Sequence, residues 1–160
     1  MKRAAALLFA LASSAGCSGG GPCGATEATV TRVIDGDTLE LDDGRKIRLL
    51  LVDTPETTNG HDDCYGTNAA TFTSDLVLNK TVQLDFDVEC TDRYMRTLAY
   101  VSVDGQEINT LIIQRGFGCV LHISPDGDSR FDEFKGYQVE AKSANRGLWG
   151  ACMPLPPACT

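Results

Sequence analysis

The sequence predicts an α+β fold, with five short strands and about three helices packed around one core. Three observations carry this. The chain has 160 residues and is 42% hydrophobic, enough for a single globular domain. Apolar residues alternate over 81–89, the period of a half-buried strand, while Asp43-Gly44 and Asp104-Gly105 have the composition of hairpin turns. Elsewhere the apolar spacing becomes helical, as at Ala69, Phe72 and Leu76.

In chain order, residues 28–34 read as the first strand and residues 38–41 as the second. Asp42-Asp43-Gly44 turns the chain into a third, almost wholly apolar strand at 47–52, predicted to be buried on both faces. Residues 57–63 are polar and loop-like, and His61 reads there as an exposed loop histidine. Thr67 is placed to cap a helix over 67–78. Residues 81–89 form the fourth strand, with Val82, Leu84, Phe86 and Val88 facing inward. Residues 96–103 are its hairpin partner. Asn109 is expected to cap a short helix at 111–115 that Gly116 stops, and 120–123 is a short apolar segment. Ser129-Arg130-Phe131-Asp132 has the form of a capping box. It opens a helix striped by Phe134, Tyr137, Ala141 and Ala144 and ended by Gly147. A Pro-rich tail, 153–157, lies between two cysteines.

The stretch from Asp35 to Glu56 concentrates the chemistry. Folding the central hairpin returns Asp53 to the end where Asp37 began. Two carboxylates held close without a cation repel and raise one pKa, and a hard, oxygen-preferring metal removes that penalty. Arg48 is a cation inside an apolar strand and requires an anionic partner there.

The net charge is −8, and −10 without Lys2 and Arg3, since 12 cations then face 22 acids. An acidic surface opposes tight non-specific nucleic-acid binding, which rests on Lys and Arg contacts with phosphate. Residues 1–16 read as a secretory leader: Met1-Lys2-Arg3, then an apolar run too short to span a bilayer. Ser14-Ala15-Gly16-Cys17 resembles a bacterial lipobox, with Ser14 where that pattern prefers Leu. Cys17 is accordingly the expected lipidation site, and 17–25 a flexible tether. Plain secretion is the alternative. Six further cysteines, an even number in an exported domain, read as a disulfide framework with fifteen possible connectivities. Zinc is disfavoured, because the sequence contains no Cys-x-x-Cys and its two histidines stand apart from any cysteine pair.

Ile34-Asp35-Gly36-Asp37-Thr38 and Arg48-Leu49-Leu50-Leu51-Val52-Asp53-Thr54-Pro55-Glu56 closely resemble the paired signature of the staphylococcal nuclease (thermonuclease) family. The resemblance continues through Tyr65-Gly66, Phe72-Thr73, Thr91 to Tyr100, Asn109, Arg115-Gly116 and Leu148-Trp149, in the family's order over 26–149. It implies a five-stranded OB-fold β-barrel. It also implies an endonuclease that hydrolyses DNA and RNA with Ca2+ and leaves 3′-phosphate ends. Single-stranded or denatured nucleic acid is the expected substrate, and the protein is expected to be a monomer that meets a membrane only through its N-terminal lipid.

Carried onto matching positions, the family's metal ligands are Asp37, Asp53 and the carbonyl of Thr54, with Asp35 as a nearby charge. Glu56 matches the carboxylate that activates or orients water, aimed by Pro55. Arg48 and Arg96 match the two phosphate-clamping arginines, and Arg93 and Tyr94 the substrate contacts. Two departures stand out: His122 and Ser124 occupy the region where the family has tyrosines, and Met95 replaces a Gly. The family fold is further expected to bring Cys64 to Cys90 as a disulfide, with Cys152–Cys159 and Cys23–Cys119 as the remaining pairs. A non-catalytic OB module binding nucleic acid or protein at the envelope is the competing expectation.

Overall fold

The computed structural model describes residues 21–58 and 60–160. The leader, Cys17 and most of the expected tether lie outside them. Six strands form: β1 (Glu27–Val33), β2 (Thr38–Leu41), β3 (Lys46–Leu49), β4 (Thr81–Asp85), β5 (Thr97–Val103) and the two-residue β6 (Gln106–Glu107). The helices are α1 (Gly66–Val77), α2 (Ile108–Arg115), α3 (Phe131–Ser143) and the single turn α4 (Leu148–Ala151), with a 3-10 turn at Pro157–Cys159.

The sheet runs β3-β2-β1-β4-β5-β6, and β3 also pairs with β5 in parallel, through Ile47↔Thr97, Arg48↔Leu98 and Leu49↔Ala99. That pairing closes β1 to β5 into an OB-fold barrel, which leaves no free edge among those strands. Val30, Leu39, Ile47, Leu49, Leu84, Ala99 and Val101 fill its interior, and Ile108, Ile112, Ile113 and Phe134 from α2 and α3 cover it. Cys119, Leu148 and Cys152 form a second, smaller core.

Several local expectations are corrected. The third strand ends at Leu49, because Leu50 and Leu51 turn, with Leu51 in the left-handed region at φ 59°. The fourth ends at Asp85, and Val88 is exposed, since 86–96 leaves the barrel wall. Thr67 does not cap α1, whose N-cap is Tyr65 without a side-chain hydrogen bond. Ser129 does not cap α3 either; the N-cap is Arg130. Its guanidinium pairs with Glu107 and Glu133 and lies 4.5 Å from the Tyr100 ring. Asn109 sits inside α2 and is fully buried. Its Oδ1 accepts from Val101 N–H at 2.9 Å and its Nδ2 donates to the Leu50 carbonyl at 2.9 Å and, as a second donor beside the Leu50 N–H, to that of Ala99.

The disulfide pairing is also different. Cys64 bonds Cys152, Cys90 bonds Cys23, and Cys119 bonds Cys159, with Cα separations of 5.9, 5.0 and 5.4 Å. All three expected pairs, Cys64–Cys90, Cys152–Cys159 and Cys23–Cys119, are therefore overturned. The physical reason is placement: α4 stands beside the Cys64 loop, while the segment before β1 passes the end of the β4–β5 connection.

Candidate active site

The β2–β3 hairpin does bring its carboxylates together. Asp37 is buried just before β2, and its Oδ2 accepts the Thr54 backbone N–H at 2.8 Å and the Thr54 hydroxyl at 3.2 Å. Its Oδ1 accepts the Thr38 hydroxyl. Asp35 Oδ1 in turn accepts the Asp37 N–H at 3.1 Å, which tightens the bend. Asp53 is held by two backbone hydrogen bonds to Cys119, each 2.8 Å. Gly118 makes that approach possible, since a Cβ there would stand 2.9 Å from the Asp53 carbonyl oxygen.

Arg48, buried in β3, has the anionic partners its position demands. Nη2 donates to Asp53 Oδ1 at 2.8 Å and Nε lies 3.4 Å from Asp37 Oδ1. Nη1 donates to the carbonyls of Leu49 and Val52. Every nitrogen of the fork is thus engaged, a geometry that Lys cannot reproduce. Burial nevertheless pushes the Asp53 carboxyl up to about 6, because desolvation outweighs the attraction of Arg48 and the charges of Asp37 and Glu56 add to it. Burial and the neighbouring Asp37 push Asp35 up to about 7.

Glu56 is fixed differently. Its Oε1 accepts the Thr58 hydroxyl at 2.6 Å, the Thr58 N–H at 2.8 Å and the Thr57 N–H at 3.0 Å. The Thr58 hydroxyl foremost, against a smaller effect of burial, holds this carboxyl below the usual glutamate range. The Asp63 carboxylate accepts the Glu56 N–H from the other side of the loop. His61 is exposed in this loop.

Arg96 projects from the 86–96 connection. Its Nε and Nη2 lie 2.8 and 2.7 Å from Asp92 Oδ2, and its N–H donates to Asp92 Oδ1. Burial disfavours ionisation of Asp92, but these bonds and the Tyr94 N–H outweigh it and keep its pKa low. Met95 takes φ 63°, the left-handed conformation that Gly reaches without strain, and its side chain is exposed. The Met-for-Gly departure therefore leaves the turn standing, pinned by Asp92. The Arg93 and Arg96 guanidiniums lie 4.9 and 5.4 Å from the Tyr94 ring.

One cleft of about 590 Å³ is lined by Asp35, Asp37, Arg48, Asp53, Thr54, Glu56, Arg93, Tyr94 and Arg96 together. These are all nine of the positions singled out for metal, catalysis and substrate. A profile of the family described as staphylococcal nuclease homologue matches residues 46–151. The chain belongs to that family. Within it, 127 residues are 37% identical to the endonuclease YncB of Bacillus subtilis (strain 168), covering 76% of this chain and 60% of that protein. The same organism's prophage-derived endonuclease YokF is 34% identical over 77% of this chain and 44% of its own length. The thermonuclease of Staphylococcus intermedius is 36% identical over 75% of this chain and 74% of that protein. The chain thus spans less than two thirds of the two Bacillus endonucleases.

The acidic side of the cleft has the character of a cation site. Asp35, Asp37, Asp53 and Glu56 all line it, and two of them, Asp35 and Asp53, are destabilised as anions by burial and by the charge of Asp37. Their hard oxygens suit calcium. Among the described residues, no three His, Cys, Asp or Glu side chains have the spacing of a metal site; a cation held between Asp37 and Asp53 would meet an open carboxylate pair and not a closed cage.

Reasoning from sequence did not single out Asp92, Thr58 and Asp63, which hold Arg96 and Glu56. Asp92 four residues before Arg96, and Thr58 two after Glu56, carry the local spacing of side-chain-to-backbone turns. Leu121 and Ile123 line the cleft on its far side. His122 instead bonds Asp128 at 2.6 Å and stacks on Phe131, and Ser124 donates to the same Asp128.

Proposed function

We propose that this chain is an exported, calcium-dependent nuclease that hydrolyses phosphodiester bonds of DNA and RNA and leaves 3′-phosphate ends. The observation that carries this is one cleft lined by seven carboxylates, Asp35, Asp37, Asp53 and Glu56 among them, and by three arginines, Arg48, Arg93 and Arg96. A binding module has no use for Arg48, Glu56, Arg96 and the Asp37–Asp53 pair in one place. The relatives' names, endonuclease and thermonuclease, point the same way.

In this reading Asp37, Asp53 and the Thr54 carbonyl hold Ca2+, and Asp35 adds negative charge behind them. When bound, the ion supplies positive charge to a phosphate oxygen. Arg96, whose Nη1 stands outside its Asp92 pair, donates to a further phosphate oxygen, and Arg48 adds the one N–H that its four partners leave; both stabilise the charge that grows as phosphorus becomes five-coordinate. Glu56 orients the attacking water. With Oε1 holding three donors and its pKa lowered, it is a weak base and a well-fixed acceptor. Arg93 and Tyr94 contact the strand, with the Tyr94 ring offered to an unpaired base, and the protein acts as a monomer.

Export is supported by the six cysteines of the described residues, all paired as disulfides, a state kept by oxidising compartments. The deciding experiment is digestion of denatured DNA and of RNA with calcium, with EDTA, and with calcium restored, followed by end-group analysis. Cleavage abolished by EDTA, rescued by calcium and leaving 3′-phosphates is expected. Binding without cleavage in calcium would instead support the non-catalytic module, and cleavage in EDTA would remove the metal from the reading.

A further inference from the structure

We propose that the Cys23–Cys90 disulfide is a redox-sensitive positioning link for the loop that carries Arg93, Tyr94 and Arg96. Residues 86–96 leave the barrel after β4 and rejoin it at β5, and Val88, Tyr94 and Met95 within them are exposed. Asp92 pins the turn from within, accepting the N–H groups of Tyr94, Met95 and Arg96, and further bonds tie the loop to its surroundings. Asp126 accepts the N–H groups of Val88 and Glu89, Asp87 accepts that of Gly127, and the Cys90 carbonyl accepts Leu98 N–H at 3.0 Å. Asp92, which holds the Arg96 guanidinium, follows Cys90 by two residues.

The other half of the link is anchored to the barrel. Arg45 Nη1 donates to the Ala25 carbonyl at 2.9 Å, and Leu84 N–H to that of Thr26 at 2.8 Å. The bond therefore ties the arginine loop directly to the rigid wall beside β1.

The three disulfides are not equivalent. Cys119 and Cys152 belong to the small core with Leu148, so opening their bonds disturbs packing. Cys64 is exposed and Cys159 half-buried, so each bond offers a sulfur within reach of a thiol reagent; Cys23–Cys90 is the pair with both sulfurs outside the two cores, so this bond opens with the barrel intact. In the step, a dithiol reductant closes to its own cyclic disulfide, through a mixed disulfide, and passes two electrons and two protons to Cys23 and Cys90, which become thiols. The loop then loosens and the cleft keeps its Asp37–Arg48–Asp53 side. Substrate is held poorly in a reducing compartment and well in an oxidising one.

The activity readout rests on the nuclease reading; a second readout does not. Wild type and a Cys23→Ser/Cys90→Ser double variant are compared by amide hydrogen exchange, circular dichroism melting, and cleavage of denatured DNA in saturating calcium. In the folded double variant, the amides of Tyr94, Met95 and Arg96 should lose protection. KM should rise at least about tenfold, from re-ordering three side chains on binding, with a smaller change in kcat. Wild type titrated with dithiothreitol should reach the same state before its barrel melts, and the variant should not respond over that range. Unchanged exchange and KM in a folded variant overturns the proposal. So does a wild-type loss that appears only together with global unfolding, which also decides the matter if the variant does not fold. Should wild type not cleave at all, the nuclease reading fails and the exchange measurement alone judges the link.

Discussion

At the scale of single residues, Arg48 is the most constrained side chain in the cleft. Its three nitrogens serve two carboxylates and two carbonyls, so its fork organises the β3 exit and holds Asp37 and Asp53 while one Nη2 N–H stays open. Arg48→Lys keeps the charge and loses the fork. If the fork stabilises the transition state, kcat should fall on the order of 10²–10³ with KM little changed. Glu56→Gln tests a separate role. The amide oxygen can still accept from Thr57 and Thr58, so the loop should hold, calcium affinity should stay as in wild type, and turnover should drop. Steady-state kinetics with calcium titration, and circular dichroism as the fold control, checks both. A folded Arg48→Lys/Glu56→Gln variant with full activity would place the chemistry elsewhere.

Among the elements, the site depends on how closely the 53–56 segment packs onto its neighbours. The Asp53–Cys119 backbone pair joins the end of the β2–β3 hairpin to the segment after α2, and Gly118 leaves the room for it. Gly118→Ala would put a Cβ within 2.9 Å of the Asp53 carbonyl and 3.1 Å of Thr54 Cγ2. One of those backbones must move. Overpacking of this kind costs about 1–3 kcal/mol. Because the strain falls on the proposed ligand segment, the calcium concentration for half-maximal activity should rise along with the loss in denaturation midpoint. Gly136→Ala, on an open face of α3, is the matched control, where an added Cβ meets nothing within 4 Å. Equal calcium dependence in the two variants would separate Asp53 from the metal.

Over the whole molecule, stability and calcium are coupled through pH. The carboxyls of Asp35 and Asp53 are raised to about 7 and about 6 from an ordinary 3.8. What they contribute to stability is complete below about pH 4 and is lost as pH rises through 6 and 7, when the fold must bury two anions. Glu56 and Asp92 are lowered, so their contributions are present at neutral pH and fade as pH falls below their ordinary 4.5 and 3.8. The metal-free protein should therefore be most stable in mildly acid solution. The proposed calcium would bind the ionised carboxylates and should raise Tm more at pH 8 than at pH 5. Calorimetry across that range in EDTA and in calcium measures both. A calcium shift independent of pH would count against Asp53 as a ligand. The same whole-chain view covers the leader, where Cys17 is proposed to carry lipid. Wild type should partition into the detergent phase and Cys17→Ser into the aqueous phase, the several chains of a bacterial lipoprotein being firm anchors. Recovery of both from the aqueous phase would support plain secretion.

The sequence by itself determined whatever rests on period and on neighbours along the chain. The alternation of 38–41, the Asp43-Gly44 turn and the apolar run from Ile47 were enough to fold the hairpin and to set Asp37 against Asp53. Arg48 in that run announced its own ion pairs. Closure of the barrel through β3 and β5, the burial of Asn109 and the three disulfide pairs were decided only in the tertiary structure. Asn109 looked like a cap because a cap is what its local sequence offers; the Leu50 carbonyl that claims its amide lies 59 residues away along the chain. Cysteine pairing has no local signature at all. It follows from which Cα atoms the packed elements bring to within about 6 Å, and α4, too short for the sequence pattern to reveal, is the element that brought Cys152 to Cys64.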